Sequence, residues 1–107
     1  MKDEYILILT STDTKKNYKL ICEKLLNEKS CACISIIPKM KSLFFWDNKL
    51  QKNKEWLLLI KTTSKSYKKI ESILLKYHKY EVPEIISFKI DKGYEKYLKW
   101  ISSEIIN

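Results

Sequence analysis

The chain has a single histidine, His78, and it opens the densest run of chemically capable side chains: His78, Tyr80, Glu81 and Glu84 around Pro83. A neutral imidazole suits copper, and it suits equally a hydrogen bond to loop backbone. Glu81 and Glu84 offer carboxylates for proton transfer or for a hard cation; such a loop pair is otherwise simply solvated. Cys33 adds a thiol, a soft ligand for cuprous copper when ionised and a small core residue when not. Lys61 ends an apolar run. No nucleophile or cofactor motif accompanies it, so its charge is expected to clamp Glu81 or Glu84 rather than to catalyse. The candidate metal set is His78, Cys33 and Glu84. The candidate cleft set, expected to meet the metal set across an interface between subunits, is Lys61, Tyr80, Glu81 and Trp46.

Other chemistries find no support. With Gly93 as the one glycine, neither a phosphate-cradling loop nor a dinucleotide fingerprint can be built, and no Ser-His-Asp spacing is present. No enzymatic activity and no obligatory cofactor are expected. The three cysteines, Cys22, Cys31 and Cys33, are odd in number. Cys31 and Cys33 would point to opposite faces of one strand, so three free thiols are expected. The net charge is +8, and all 21 basic residues are lysine. Without arginine, and with the lysines scattered, the charge reads as a solvated surface and no nucleic-acid partner is expected. No apolar run approaches the roughly 20 residues of a membrane span, so no direct membrane insertion is expected. The start, MKDEYILILTST, resembles neither a signal nor a transit peptide, which favours a cytoplasmic protein.

These side chains need elements to position them. Residues 31–63 read as one long hairpin with Asp47-Asn48 as its turn. Its outer ends, residues 33–37 and 56–60, are apolar and expected to be buried, while Lys39, Lys41, Lys49, Lys52 and Lys54 mark solvated strand beside Leu43, Phe44, Phe45 and Trp46. Pro38 demands a bulge or an unpaired edge. At roughly 3.3 Å per residue an arm of fourteen residues spans about 46 Å, too long for a core this small. A projecting arm with exposed aromatics calls for another chain, and Phe44, Phe45, Trp46 and Trp56 are the expected interface anchors. Residues 5–9 read as a central strand buried on both faces. A helix follows, capped by Ser11, Thr12 or Asp13, with Tyr18, Ile21, Cys22, Leu25 and Leu26 on one face. Ser64 caps a second helix bearing Ile70, Ile73, Leu74 and Tyr77. Residues 84–90 form the last strand. Tyr94, Tyr97, Leu98, Ile101 and Ile105 stripe a third helix. The order β-α-β-β-α-β in one domain, residues 1–107, predicts a ferredoxin-like α+β sandwich with an extra C-terminal helix. One sheet face is left for that helix or a neighbouring subunit to cover.

Several ordered motifs resemble one family. They are Ala32-Cys33-Ile34-Ser35-Ile36-Ile37-Pro38; Ser42, Trp46 and Lys49; residues 57–61 with Thr62; His78-x-Tyr80-Glu81-x-Pro83-Glu84-Ile85; and Tyr97-Leu98-x-Trp100-Ile101. With matching gaps from Tyr5 to Ile101, the chain is similar to the CutA divalent-cation tolerance family. The resemblance implies a ferredoxin-like fold and a tight homotrimer whose hairpins pair between subunits. It implies a non-enzymatic role in tolerance of copper and other divalent ions, with copper or another divalent cation as the ligand. Some members anchor membrane-associated enzymes, so the alternative is a trimeric small-ligand sensor or anchoring module that regulates an as yet unknown partner protein. The chain departs from the family at Ser35, usually asparagine, at Asn48, usually glycine, and at Lys79, usually proline. The last change frees His78 from the restriction a following proline imposes.

Overall fold

The computed structural model describes residues 3–106. The elements run β1 (Tyr5–Thr12), α1 (Lys15–Asn27), β2 (Cys33–Trp46), β3 (Lys49–Thr63), a 3-10 turn (Ser64–Ser66), α2 (Tyr67–Tyr77), β4 (Ile86–Lys89) and α3 (Glu95–Ser103). The strands form one sheet in the order β2-β3-β1-β4, antiparallel throughout. This is the ferredoxin-like α+β arrangement with the expected additional helix.

The two helices α1 and α2 pack on one sheet face. Ile21, Leu25, Ile70 and Leu74 from the helices meet Ile6, Ile8, Leu58 and Ile60 from the sheet in one buried cluster. The register explains the alternation: Ile8 lies opposite Ile60 and Thr10 opposite Leu58, so both pairs face the helices. Burying each such aliphatic side chain contributes about 1.5–3 kcal/mol. β1 was expected to be buried on both faces, and the structure corrects this. Tyr5, Leu7 and Leu9 on the far face are only half-buried, because α3 covers one end of that face alone. It does so through fully buried Ile101 and through Tyr5 Oη, 2.7 Å from Ser102 Oγ. Ser102 gives its own proton to Asp3 Oδ2 at 2.7 Å, so the phenol is the donor. The rest of the α3 stripe is not buried; Tyr94 and Tyr97 are exposed, and Ile105 lies beyond the helix.

Helix starts differ from expectation for local reasons. Thr14 caps α1, its Oγ1 accepting from Asn17 N–H at 3.1 Å. Thr12 is still strand, paired opposite Trp56. Ser64 does not cap α2. Its N–H donates to the Glu4 carbonyl at 2.8 Å, and a 3-10 turn intervenes before Tyr67.

The hairpin's span and turn are as drawn from sequence, but its outer end on β2 is not buried as expected: Ile36 and Ile37 are 40% and 47% exposed at the sheet edge. Asp47 and Asn48 both have positive φ, 52° and 61°, as a primed two-residue turn requires. The ladder slips between Ile37 and Met40, where Pro38 has no N–H to pair and Lys39 sits at φ 59°. β1 stops pairing β3 at Trp56. Residues 40–46 and 49–55 therefore pair only with each other, and the arm extends a molecule measuring 47 × 26 × 21 Å.

Candidate functional site

The chain turns out of α2 at His78, whose N–H closes the helix on the Leu74 carbonyl at 2.8 Å before the backbone becomes extended. The imidazole folds under the following loop. Nε2 lies 2.9 Å from the Ser11 carbonyl, and Nδ1 accepts from Tyr80 N–H at 3.1 Å. A carbonyl only accepts and a backbone N–H only donates, so the ring is the neutral Nε2–H tautomer. Burial lowers its pKa below 6.5 and outweighs the Ser11 carbonyl, Glu55 and Asp13, which raise it. Capture of the Ser11 carbonyl also explains why β4 is shorter than expected. It pairs β1 only as far as Leu9, so Glu84 and Ile85 stay outside the strand.

The loop is held without a proline after His78. Lys79 N–H donates to Asn17 Oδ1 at 3.2 Å, and Lys79 Nζ pairs with Asp13 at 2.8 Å. Buried Asn17 also accepts from Thr12 Oγ1 at 2.8 Å and donates to the Tyr77 carbonyl at 2.9 Å. One side chain thus joins β1, α1, the end of α2 and the loop. The freedom that Lys79 returns to His78 is removed by these bonds.

Tyr80 reaches across to the root of the hairpin arm, where its phenol donates to Glu55 Oε2 at 2.7 Å. Burial first, and the Glu55 acceptor second, push the phenol well above its usual pKa. Between the arm and the loop lies an open cleft of about 760 Å³. Strand alternation supplies one wall: Ser42 opposite Asn53, Phe44 opposite Gln51, and Glu55 at the base. Trp46 completes it, and Tyr80, Glu81 and Glu84 form the other wall.

The structure therefore brings Tyr80, Glu81, Glu84 and Trp46 together and sets His78 directly beneath them. It does not bring Cys33 or Lys61 to that place. Those two lie opposite each other in the β2–β3 register, with Lys61 Nζ 3.7 Å from Cys33 Sγ and donating to Ser35 Oγ. Within one chain Lys61 meets neither Glu81 nor Glu84, and the expected clamp is one between subunits. Lys61 is roughly 20 Å along β3 from Glu55 at the usual strand rise, and its ammonium is spent on Ser35 and Cys33. Among the described residues no group of three or more histidine, cysteine or acidic side chains forms a metal cage. Phe44 and Trp46 share the cleft face of the arm, whereas Phe45 projects from the opposite face, 74% exposed. Trp56 faces α1, its ring 5.3 Å from that of Tyr18. All three cysteines are free, as expected.

Sequence reasoning missed Glu55, Asn53, Gln51 and Asn17. A signal for the first three was present: they alternate along β3, in phase with Phe44 and Trp46 across the hairpin. The surrounding lysines concealed it.

Three comparisons bear on this arrangement. The family model described as CutA1 divalent ion tolerance protein matches residues 6–104. The chloroplastic protein CutA of Arabidopsis thaliana is 30% identical over 102 residues, which are 95% of this chain and 56% of that protein. The chain thus spans about half the length of this plant relative. It spans 92% of the divalent-cation tolerance protein CutA of Thermus thermophilus, 30% identical over 95 residues, or 89% of this chain. Among solved structures, CutA1 of the psychrotrophic bacterium Shewanella sp. SIB1 is 32% identical, with a TM-score of 0.93 and full coverage of both chains.

Proposed function

The chain belongs to the CutA1 divalent ion tolerance protein family, and from that premise we propose that it binds divalent cations, copper among them, as a non-enzymatic homotrimer in the cytoplasm. The observation that carries this reading is the acidic cleft. Glu55, Glu81 and Glu84 line it, spread over both walls rather than gathered into one cage, on a chain of net charge +8, and the lysine of the lining, Lys79, is already paired with Asp13. Carboxylate and phenol oxygens suit hard and borderline divalent ions. His78 would become a ligand only by giving up a hydrogen bond, so it supports the site from beneath. A neighbouring subunit supplies the remaining donors. The homotrimer is favoured by an arm that leaves Leu43, Phe45, Trp46 and Leu50 exposed.

A second reading, a trimeric small-ligand sensor or anchoring module, is favoured by the cleft's volume, about 760 Å³, which exceeds what one ion needs. Calorimetric titration of the purified protein with cupric, magnesium and calcium ions tests the first reading. Saturable binding that is lost in Glu81→Gln/Glu84→Gln supports it. Binding that is unchanged in that variant would assign the ions to adventitious surface groups.

A further inference from the structure

α1 and α2 form the outer layer over one sheet face, and folding gathers there lysines that are scattered along the sequence. The two helices hold seven lysines against two glutamates, Glu23 and Glu71. Lys68 and Lys69 are paired, with Glu71 and Glu28. The other five are not. Among the described residues Lys15, Lys16, Lys19, Lys24 and Lys76 have no carboxylate within ion-pair distance. Packing of α1 against α2 brings them together: Lys24 Nζ and Lys76 Nζ lie over the same Tyr77 ring, at 5.2 and 5.3 Å. Lys15 and Lys16 stand in the first turn of α1, which has no acidic residue. The helix dipole is positive there, so cations without a partner cost stability at that place. An anionic surface outside the chain offsets this repulsion. Asn17, Ile21, Leu25, Ile70 and Leu74 point inward. Helical periodicity therefore turns Lys16, Lys19 and Leu26 of α1, and Leu75 and Lys76 of α2, outward. Leu26 and Leu75 are 45% and 60% exposed among the lysines.

We infer that the outward face of α1 and α2 docks on an anionic lipid bilayer, with the five lysines at the phosphate level and Leu26 and Leu75 entering the headgroup layer. Lysine is a compact point charge without the planar fork that reads bases and single phosphates in pairs of hydrogen bonds. It suits a diffuse anionic plane, and isolated leucines beside it are what an interfacial helix face carries. The cytoplasmic leaflet supplies such a plane. None of these residues lies on the arm, so a trimer held through the arm leaves the face open. The contact is peripheral: among the described residues no helix is long and apolar enough to cross a membrane. It does not depend on the divalent-ion reading of the cleft.

The test is co-flotation of the full chain with two kinds of vesicle, phosphatidylcholine alone and equal parts of phosphatidylcholine and phosphatidylserine. A chelator is present, so that no divalent ion bridges protein to lipid. The protein should float with the phosphatidylserine vesicles at about 0.15 M salt, and added salt should release it. It should not float with phosphatidylcholine alone. Lys15→Gln/Lys16→Gln should lower the partition coefficient about tenfold. Lys92→Gln/Lys96→Gln removes the same charge before and at the start of α3 and should leave it unchanged. All four lysines are exposed, so neither variant threatens the fold. Leu75→Ser should lower the partition coefficient a few-fold without altering its dependence on salt. No flotation with phosphatidylserine, equal flotation with both vesicles, or equal loss in the two lysine variants overturns the inference. Binding of duplex DNA that is lost in Lys15→Gln/Lys16→Gln, with no vesicle binding, would assign the face to a nucleic acid and overturn it as well.

Discussion

Tyr80 Oη lies 2.7 Å from Glu55 Oε2, and this bond ties the loop after α2 to the root of the hairpin arm. Tyr80→Phe deletes the donor and leaves a buried carboxylate with no hydrogen bond. The expected cost is about 1–3 kcal/mol. Urea unfolding of the two proteins measures it, and an unchanged midpoint would show that water replaces the phenol without loss.

His78 makes stability depend on pH with a definite sign. Its folded pKa lies below 6.5, mainly through burial. The unfolded chain therefore takes up a proton near pH 6.5 while the folded chain does not. Stability from this group is present above that pH and is lost as the pH falls through the folded value. Melting temperatures from pH 8 to pH 5 should fall more steeply in wild type than in His78→Gln, whose amide can still donate to Ser11. Parallel curves would remove His78 as the cause.

Asn17 should matter more than the cap beside it. Thr14→Ala removes one capping bond, worth about 0.5–2 kcal/mol. Asn17→Ala strands the Thr12 hydroxyl, the Lys79 N–H and the Tyr77 carbonyl, all of which now meet one side chain. A loss of about 2–4 kcal/mol is expected. Thermal denaturation ranks the two variants, and the reverse order would contradict the role given to Asn17.

Sedimentation should give three times the chain mass of 12.8 kDa. Phe45 and Leu50, 74% and 57% exposed on the arm, are the places to test it. The double variant Phe45→Glu/Leu50→Glu should sediment as a monomer with its core intact, since neither residue belongs to the buried cluster. A trimer that survives both changes would move the interface off the arm.

The thiols should differ in reactivity. Burial pushes the Cys31 thiol up to about 12, with smaller effects from Cys22 and Cys33. Native alkylation at pH 8 should label Cys31 last, and denatured protein should take up label at all three cysteines. Mass spectrometry of timed samples decides it.

Much of this protein follows from local chemistry alone. The Asp47-Asn48 turn, the slip at Pro38, the helical stripes and the β-α-β-β-α-β order all arise from sterics and periodicity among near neighbours. Those forces act within a few residues of chain, so they are legible in any sequence that encodes them. The ends of elements were less legible. Thr14 rather than Ser11, Thr12 or Asp13 caps α1 because β3 keeps Thr12 in the ladder. The site needed the tertiary structure most. Loop residues Tyr80, Glu81 and Glu84 could be singled out by type, but Glu55 gained its partner only when sheet register set the arm's root beneath the loop. The same register carried Lys61 away to Cys33 and Ser35. A strand position decides which side chains meet through pairing with residues far along the chain, and local pattern carries no record of that choice.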